Sequence, residues 1–401
     1  MKILLADSLD PDAVERLRAA GDEVIEAPEL TADELPEHIA DAEVLVVRST
    51  EVTAETIDRS SRLALVVRAG AGTNNIDTAH AATRGVFVTN VPGRNAIAVA
   101  ELTMGLLLAV DRHIADATAD LRSGSWNKQA YGRANGLFGS TMGIVGLGDI
   151  GLATAERALG FGLSVLAEQR PGRSAERERL IDVLGIELVP DRATLLGRSH
   201  VVSIHVPACP DTIGMVDAEF LASMRDGAVL INTSRGEIVD AAALIEAMNR
   251  RGLRAGLDVF PDEPTESVGE IASALARHPG VVGTHHIGAS TDQARRAIAA
   301  GTVEVIEAYR EGGVRHCVNL EIAPSRSATL RVRHHDRVGV LAAVLAILRG
   351  HRLNISNMRN QVFAGSKTAV ATIDVSGTLD DQLTDELEAH DDVIGVSVTV
   401  A

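Results

Sequence analysis

Gly143-Ile144-Val145-Gly146-Leu147-Gly148-Asp149-Ile150-Gly151 is the stretch that decides the fold of this 401-residue chain. Three of its glycines form the pattern G-x-G-x-x-G, after an apolar strand that begins near Met142 and before an alanine-rich helical segment at 152–160. That strand–loop–helix context is what the dinucleotide-binding fingerprint requires. Gly146 permits the tight turn, Gly148 lets the backbone approach a pyrophosphate, and Gly151 lets the helix pack against its strand. The alternative is a glycine-rich βα turn that binds no ligand.

The helix that follows the glycines supplies free N–H groups and the positive end of its dipole. The phosphates of a dinucleotide are therefore expected at this helix N-terminus. The predicted contacts in this stretch are Gly146, Gly148, Asp149, Ile150 and Gly151.

Bulk composition excludes several classes of partner. The net charge is −17, with 55 acidic against 38 basic residues, so nucleic acid is not an expected partner. Cys209 and Cys317 are far apart, which predicts a reducing compartment, no disulfide and no metal site. The chain opens into a strand without a signal peptide, so a cytoplasmic protein is expected. The apolar run 96–110 contains Glu101 and is too short to cross a membrane, so no membrane association is predicted.

The order of strands and helices predicts three units. Alternating strands and helices fill residues 1–95 and then, after a long apolar helix at 96–115, residues 142–283. This α/β pattern predicts two Rossmann-like, doubly wound domains with parallel sheets. A helix at 291–311 is expected to return to the first domain. After a linker at 324–327, the pattern β-α-β-β-α-β predicts a ferredoxin-like α+β domain with a regulatory or dimerising role.

Candidate catalytic residues follow strands of the second predicted sheet. Arg235, Glu263 and His286 supply a cation, a carboxylate and a proton carrier, which are the protein groups that a hydride-transfer site needs. Taken singly, each has a structural explanation: a charge at a helix end, a solvated acid on a loop, and a satisfied histidine beside His285. Because ligands bind at the carboxyl ends of strands in such sheets, their common position favours a site.

Four segments of the chain, 143–151, 232–240, 256–264 and 284–291, resemble the signature blocks of the D-2-hydroxyacid dehydrogenases. The resemblance implies that His286 is the general acid/base, that Glu263 hydrogen-bonds it and raises its pKa, and that Arg235 binds the substrate carboxylate and polarises the C2 oxygen. It also implies that Asp258 faces the nicotinamide carboxamide. The further cofactor contacts implied are Thr233, Ser234 and Gly288.

Segments 45–53, 68–77 and 90–95 most resemble the phosphoglycerate dehydrogenase branch, and the tail resembles an ACT domain. The branch implies a substrate-binding domain of residues 1–95 with 286–317, a dinucleotide-binding domain at 96–285 and an ACT-like regulatory domain at 326–401. It also implies a homo-oligomer, either a tetramer or a dimer.

Arg48 and Arg68 close strands of the first domain and are predicted to bind a phosphate, since Arg–phosphate pairs are strong. The alternative is that each pairs with a neighbouring acid. The rest of the predicted substrate set is Ala69, Gly70 and Asn95. The resemblance thus implies oxidation of 3-phospho-D-glycerate to 3-phosphooxypyruvate, the first step towards L-serine. Two alternatives stay open: an NADP-dependent reductase of an unphosphorylated 2-oxo acid such as glyoxylate or hydroxypyruvate, and a non-enzymatic corepressor that senses the cofactor.

The residues after the second strand of the dinucleotide domain depart from the usual pattern. An acidic residue normally lies there, about 20 residues beyond the glycines, and binds the ribose 2′-OH. Here Gln169 takes that position, and Arg170 and then Arg173 follow, which favours the 2′-phosphate of NADP, although Glu168 is adjacent. The branch resemblance implies NAD, so NAD is the first expectation and NADP the alternative. Arg170 is predicted to contact the adenosine ribose region.

In the ACT-like tail, His334, Asp336 and Asn354 match positions that bind a serine effector between paired ACT domains. Asp336 stands where some members have Asn, and Val338 replaces the usual Pro. A module that only dimerises is the alternative. The pair His334-His335 is not expected to bind a metal, because no further Cys or His falls at ligand spacing.

Overall fold

The computed structural model describes residues 1–264, 268–321, 326–365, 367–380 and 382–400. Contacts divide the chain into two compact units, Met1–Asn319 and Leu320–Ala401. Pro324 and Ser325 of the predicted linker lie outside the described residues.

The first sheet consists of five parallel strands in the order β2-β1-β3-β4-β5. Its strands are β1 (Lys2–Leu5), β2 (Glu23–Glu26), β3 (Val44–Val47), β4 (Leu65–Arg68) and β5 (Phe87–Asn90). The intervening helices are α1 (Pro11–Ala19), α2 (Leu35–His38), α3 (Ala54–Arg59) and α4 (Thr78–Thr83). The inner strands are almost wholly apolar, as parallel strands covered on both faces require.

The long apolar helix is shorter than predicted. Helix α5 (Ala96–Arg112) ends at His113, whose φ of 52° is left-handed, and helix α6 (Ile114–Arg122) starts directly after it. The left-handed residue interrupts the hydrogen-bond ladder, so the predicted helix 96–115 is divided. Helix α5 packs on the second sheet, whereas α6 buries none of its residues.

The second sheet has seven parallel strands in the order β12-β11-β10-β9-β6-β7-β8. Its strands are β6 (Thr141–Val145), β7 (Ser164–Glu168), β8 (Glu187–Val189), β9 (Val201–Ile204), β10 (Val229–Asn232), β11 (Arg254–Leu257) and β12 (Val281–Gly283). Its helices are α7 (Asp149–Gly160), α8 (Ala175–Leu184), α9 (Arg192–Arg198), α10 (Ala218–Ser223) and α11 (Ala241–Arg251), with a 3₁₀ turn at Gly236–Ile238. The order reverses at β6, so the glycine loop lies at the topological switch point where ligands bind.

Helix α12 (Asp292–Arg310) returns to the first sheet, as predicted. Its buried residues Val303 and Ile306 share a core cluster with Ile3 and Leu5 of β1. The strands of the first sheet lie within residues 1–95 and those of the second within 96–285. The division into a substrate-binding domain, 1–95 with 286–317, and a dinucleotide-binding domain, 96–285, stays a proposal.

The C-terminal unit is a four-stranded antiparallel sheet in the order β14-β15-β13-β16, the ferredoxin-like arrangement that was predicted. Its elements are β13 (Ala328–His335), α13 (Val340–Gly350), β14 (Asn354–Val362), β15 (Thr368–Ser376), α14 (Gln382–Glu388) and β16 (Val393–Val400). One face of the sheet forms a core with both helices.

Two strands were not predicted, and one helix starts earlier than expected. Strands β2 and β8 lie at sheet edges and carry glutamates, so no apolar run marks them. Helix α7 begins at Asp149, three residues before the predicted start. In the part of the chain that the structure describes, no helix has the length and apolarity needed to span a bilayer.

Candidate active site

The glycine loop has the geometry that its sequence predicts. Gly146 has a φ of 101°, and a Cβ atom there would lie 2.4 Å from the His205 carbonyl oxygen. A Cβ atom on Gly151 would lie 2.0 Å from the Gly146 carbonyl oxygen, so the helix meets the loop only with glycine at that position. No side chain caps the helix at Gly148, which leaves the first N–H groups of α7 for a phosphate. These features fit a dinucleotide pyrophosphate.

Asp149 and Ile150 form the first turn of α7, as the predicted contacts require. The Asp149 carboxylate accepts a hydrogen bond from Arg177 Nη2 at 2.8 Å, and Arg177 Nη1 donates to the Leu147 carbonyl at 2.8 Å. Arg177 therefore ties the glycine loop to α8 and offsets the charge of Asp149 beside the expected phosphates.

The predicted imidazole–carboxylate pair is present. His286 Nδ1 lies 2.8 Å from Glu263 Oε2, and the His286 side chain is 48% exposed, so the other ring nitrogen can reach a substrate. The hydrogen bond that His286 donates to Glu263 raises the pKa of His286, against partial burial and the charge of Arg235, and Asp258 adds to the increase. The pair thus holds a proton carrier whose charged form is favoured.

Glu263 is itself held in place by the backbone. Its Oε1 accepts from the Phe260 N–H at 2.7 Å, while Oε2 faces His286. Burial alone would raise the pKa of Glu263, but these hydrogen bonds and the nearby charges outweigh it, and the pKa is lowered. Glu263 therefore stays ionised beside the imidazole.

Asp258 positions the loop that carries His286. This residue is 1% exposed, and its carboxylate accepts from Thr284 Oγ1 at 2.6 Å and from the N–H groups of Ile287 and Gly288, both at 2.8 Å. His286 takes a left-handed φ of 52°, and its N–H donates to the Asp258 carbonyl at 2.8 Å. The contact between Asp258 and the nicotinamide carboxamide stays a prediction.

Arg235 lies on the loop that follows β10. Asn232, which sequence reasoning missed, holds this loop in place. The Asn232 side chain is fully buried and donates from Nδ2 to the Arg235 carbonyl at 2.9 Å. Its Oδ1 accepts from the Ser234 N–H at 3.0 Å and Oγ at 2.7 Å. Thr233, the next predicted contact, is buried with its Oγ1 3.0 Å from that of Thr103.

The guanidinium of Arg235 reaches the loop that follows β4. Its Nη2 lies 2.8 Å from the position that a Cβ on Gly72 would take, and its Nη1 donates to the Ser234 carbonyl at 2.7 Å. The predicted carboxylate-binding residue of the second sheet therefore faces the predicted substrate loop of the first.

Arg68 ends β4 and is folded over Gly70, where a Cβ would lie 1.7 Å from Arg68 Nη1. The pKa of Arg68 is lowered to about 10, chiefly by burial and then by the charges of Arg235 and Arg48, with Asp7 acting in the opposite direction. Its Nε is buried without a hydrogen-bond partner among the described residues. The structure thus brings three predicted arginines into one cationic cluster.

The loop of Arg48 depends on Asp7, a second residue that sequence reasoning missed. Asp7 accepts from the N–H groups of Arg48, Ser49 and Thr50 at 2.7, 3.1 and 3.0 Å. Burial would raise the pKa of Asp7, but these hydrogen bonds lower it. Asp7 directly follows Ala6 at the end of β1, and an acid at that place in a parallel sheet is a signal that could have been used.

Arg48 and Ala69 also line a cavity of about 450 Å³. Asp292, Arg295 and Arg296 of α12 line the same cavity. Asn95 precedes α5 and is partly exposed, and Gly70 accepts from the Val91 N–H at 2.8 Å. Of the predicted substrate residues, Arg68, Ala69 and Gly70 lie at or just after the end of β4. Asn95 follows shortly after Val91, whose N–H donates to the Gly70 carbonyl.

Known proteins that resemble this chain include dehydrogenases, in agreement with this geometry. Residues 104–288 match the D-isomer specific 2-hydroxyacid dehydrogenase, NAD binding domain. The chain is 36% identical over 390 residues to D-3-phosphoglycerate dehydrogenase of Methanocaldococcus jannaschii, covering 96% of this chain and 69% of the relative. It is 39% identical over 315 residues to hydroxypyruvate reductase of Thermotoga maritima, covering 78% and 99%. A solved structure of a putative D-isomer specific 2-hydroxyacid dehydrogenase from Polaromonas is 32% identical with a TM-score of 0.70, covering 79% of this chain and 99% of that one.

The chain belongs to the D-isomer specific 2-hydroxyacid dehydrogenases. It is thus an NAD(P)-dependent oxidoreductase that acts on a small 2-hydroxy acid, and the matches favour the enzyme over the corepressor interpretation. The catalytic roles of Arg235, Glu263 and His286 within this dehydrogenase stay predictions that the geometry supports.

In this dehydrogenase the second strand of the cofactor domain ends at Glu168, and Gln169 is exposed beyond it. The Gln169 N–H donates to the Val189 carbonyl at 2.8 Å, which continues the pairing of β7 with β8 by one residue. Arg170 Nη2 lies 3.6 Å from Glu168 Oε2. Both predicted ribose residues therefore lie at the strand end where the adenosine ribose is expected.

The three predicted effector residues of the dehydrogenase are not brought together within one chain. His334 pairs with Ala369 near the end of β13, whereas Asn354 pairs with Ser376 at the start of β14, near the opposite end of the sheet. His334 is 1% exposed, with Nδ1 2.8 Å from the His335 carbonyl and Nε2 3.1 Å from Asn360 Oδ1. Asp336 and Asn354 are exposed. A shared effector would need these residues from two copies, as the prediction of paired ACT domains assumed.

Proposed function

We propose that this dehydrogenase oxidises 3-phospho-D-glycerate to 3-phosphooxypyruvate, the first step of L-serine biosynthesis. The observation that carries the proposal is the convergence of Arg48, Arg68 and Arg235, in which burial, and then the charges of Arg235 and Arg48, lower the pKa of Arg68 to about 10. Partly buried like charges of this kind are costly unless an anion neutralises them.

The substrate carries two anionic groups, which suits this arrangement. Arg235 would bind the carboxylate next to the reacting carbon, because it lies on the same sheet as His286. Arg48 and Arg68 would bind the phosphate, since guanidinium–phosphate pairs are among the strong hydrogen bonds. The buried Nε of Arg68 would then gain the acceptor that it lacks among the described residues.

The proton transfer follows from the His286–Glu263 pair. In oxidation, the neutral imidazole of His286 takes the proton of the C2 hydroxyl as the C2–H bond breaks and a ketone forms. The cofactor, when bound, accepts the hydride. Ionised Glu263 stabilises the resulting imidazolium, and Arg235 stabilises the negative charge that develops on the C2 oxygen. In reduction, the imidazolium returns the proton.

The deciding experiment measures formation of reduced cofactor from 3-phospho-D-glycerate and from D-glycerate side by side. We expect Arg68→Gln and Arg48→Gln to raise KM for the phosphorylated acid about tenfold or more, with little change for D-glycerate. The matched control is Arg62→Gln, which removes an exposed arginine that pairs with Glu43. Equal KM values for 3-phospho-D-glycerate and D-glycerate in the wild type would contradict the proposal.

Reduction of an unphosphorylated 2-oxo acid is the second candidate. The hydroxypyruvate reductase of Thermotoga maritima is similar over nearly its whole length. The arginines around Glu168 also suit NADPH, the cofactor that this candidate would use. Faster reduction of hydroxypyruvate than of 3-phosphooxypyruvate would favour this function.

We also propose that the C-terminal unit is a regulatory ACT domain that binds serine between two copies. Exposed Asp336 and Asn354 would contribute from different chains. Serine should then inhibit the oxidation reaction, and Asn354→Ala should weaken that inhibition without changing KM. The control is Asn357→Ala on the same strand. Unchanged activity across millimolar serine would leave dimerisation as the role of this unit.

A further inference from the structure

Glu168, the last residue of β7, is surrounded by arginines. Arg170 Nη2 and Arg192 Nη2 lie 3.6 and 3.5 Å from the same atom, Glu168 Oε2. Arg173 Nη2 donates to the Glu168 carbonyl at 2.6 Å. Strand β7 neighbours β6, which leads into the glycine loop, so this cluster lies on the side of the site where the adenosine ribose of a dinucleotide is bound.

Arg192 comes from a different part of the chain from the other two arginines. It is the first residue of α9, after Asp191, whose carboxylate caps that helix by accepting from the Thr194 N–H at 2.7 Å. Sequence reasoning placed Arg170 and Arg173 near the ribose and missed Arg192, because helix α9 brings it to β7 from another segment of the chain. Capping fixes the first turn of α9 and thereby the backbone position of Arg192.

The charges in the cluster do not balance. Within the described ranges, Glu168 is the carboxylate that lies within 4 Å of Arg170 and Arg192, and no such partner is found for Arg173. Arg192 also has a buried Nε without a hydrogen-bond partner in the described part of the chain. A buried donor without an acceptor is costly, so the cluster is suited to a further anion.

We propose that Arg192, together with Arg170, binds the 2′-phosphate of NADP(H), and that Glu168 holds the two guanidiniums in place. The proposal rests on the nicotinamide chemistry of the proposed function and narrows its cofactor. Gln169 supports it, because the carboxylate that would repel a 2′-phosphate at that position is absent. Arg177 takes no part, since it is paired with Asp149.

The test is calorimetric titration of the full chain with adenosine 2′,5′-bisphosphate and with AMP, which differ only in the 2′-phosphate. The wild type should bind the bisphosphate at least about tenfold more tightly. Arg192→Gln should lose about tenfold or more for the bisphosphate and less than about twofold for AMP, and Arg170→Gln should change in the same direction.

Arg198→Gln is the matched control, because Arg198 lies on the same helix and pairs with Glu187 instead. It should leave both affinities within about twofold of the wild type. Arg192→Lys keeps the charge but loses the planar guanidinium, so it should bind the bisphosphate with intermediate affinity. This variant tests the proposal even if Arg192→Gln fails to fold.

Equal wild-type binding of the two nucleotides would overturn the proposal, as would parallel losses in Arg192→Gln and Arg198→Gln. Because no 2-hydroxy acid is present, the titration does not depend on the substrate. Preference for the bisphosphate without oxidation of 3-phospho-D-glycerate would reject the proposed function alone. Oxidation with NAD and no such preference would reject this inference alone.

Discussion

The carbonyl of Asp258 accepts a hydrogen bond from the N–H of His286 at 2.8 Å, although the two residues are 28 positions apart. The Asp258 carboxylate also binds the N–H groups of Ile287 and Gly288. One buried residue therefore holds the left-handed backbone of His286 and directs its ring towards Glu263. The charge of Asp258 also favours the protonated imidazole.

Asp258→Asn should reduce activity through the position and the pKa of His286. The amide loses a charged acceptor for two N–H groups, which costs about 1.5–3 kcal/mol. The pKa of His286 should fall because a nearby negative charge is lost. The measurement is the pH profile of kcat/KM for oxidation, with Asp262→Asn on the exposed loop as the control. An unchanged profile with reduced kcat would show that Asp258 acts on position only.

The hydrogen bond between Glu263 and His286 should set the pH at which the enzyme works. Because the pKa of His286 is raised, oxidation should increase as pH rises through that raised value, and reduction should decrease over the same range. Glu263→Gln should move both limbs to lower pH and lower kcat about 10- to 100-fold, since a charge-assisted hydrogen bond is lost. His286→Ala should lose about 10²–10⁴-fold in kcat. If the pH profile of Glu263→Gln kept the wild-type midpoint, the titration would belong to a group other than His286.

Gly151→Ala should damage cofactor binding more than folding of the rest of the chain. The added Cβ would lie 2.0 Å from the Gly146 carbonyl oxygen, so the loop or α7 must move, at a cost of about 1–3 kcal/mol or more. The measurement is the Kd of the reduced cofactor together with thermal unfolding. Gly160→Ala is the control in the same helix, because nothing lies within 4 Å of its Cβ position and alanine favours helix by about 0.5–1 kcal/mol. Wild-type affinity in Gly151→Ala would contradict the close packing.

Much of this site could be predicted because its residues follow strands of parallel sheets. The carboxyl ends of such strands share one edge, so Arg235 and His286 could be placed together without knowing side-chain contacts. Asn232 and Asp7 could not be given their roles, because each satisfies backbone N–H groups of a loop whose path depends on tertiary packing. Arg192 was missed for the same reason, since α9 brings it to β7 from another segment.

The fold was predicted best where apolar runs are continuous. In strand β3 (Val44–Val47) every residue is apolar and buried, so the run itself marks the strand. The edge strands β2 and β8 alternate little and expose their glutamates, so periodicity does not mark them. The end of α5 depends on a single left-handed residue, His113, which no local pattern indicates.

In the C-terminal unit, His351 should make stability depend on pH. Its Nδ1 lies 2.8 Å from Asp380 and its Nε2 2.8 Å from Glu386. The hydrogen bond that His351 donates to Glu386 raises the pKa of His351 despite some desolvation, and Asp380 adds to the increase. A raised folded-state pKa contributes stability that is fully present below the unfolded pKa, near 6.5, and is lost as pH rises through the folded value.

Hydrogen exchange of α13 and α14 in the full chain measures this effect. Exchange in both helices should become faster between pH 6 and pH 9, after correction for the intrinsic pH dependence. His351→Gln should abolish the difference, whereas His335→Gln on the same unit should keep it. A wild-type protein with equal protection at both pH values would show that the two carboxylates do not stabilise the charged ring.

The surface around α6 should be an interface between copies of the chain. None of the residues of α6 is buried, and Leu121, Trp126 and Phe138 are 58%, 80% and 90% exposed. Leu121 and Trp126 line one surface pocket, large exposed apolar residues are typical of interaction sites, and a homo-oligomer is the expected state of this dehydrogenase. Light scattering should therefore give the mass of a dimer or a tetramer. Trp126→Ser combined with Phe138→Ser should shift the mass towards the monomer, while Val183→Ser, at an exposed residue of α8, should not. A monomeric wild type at micromolar concentration would contradict the prediction, and these residues would then need another partner.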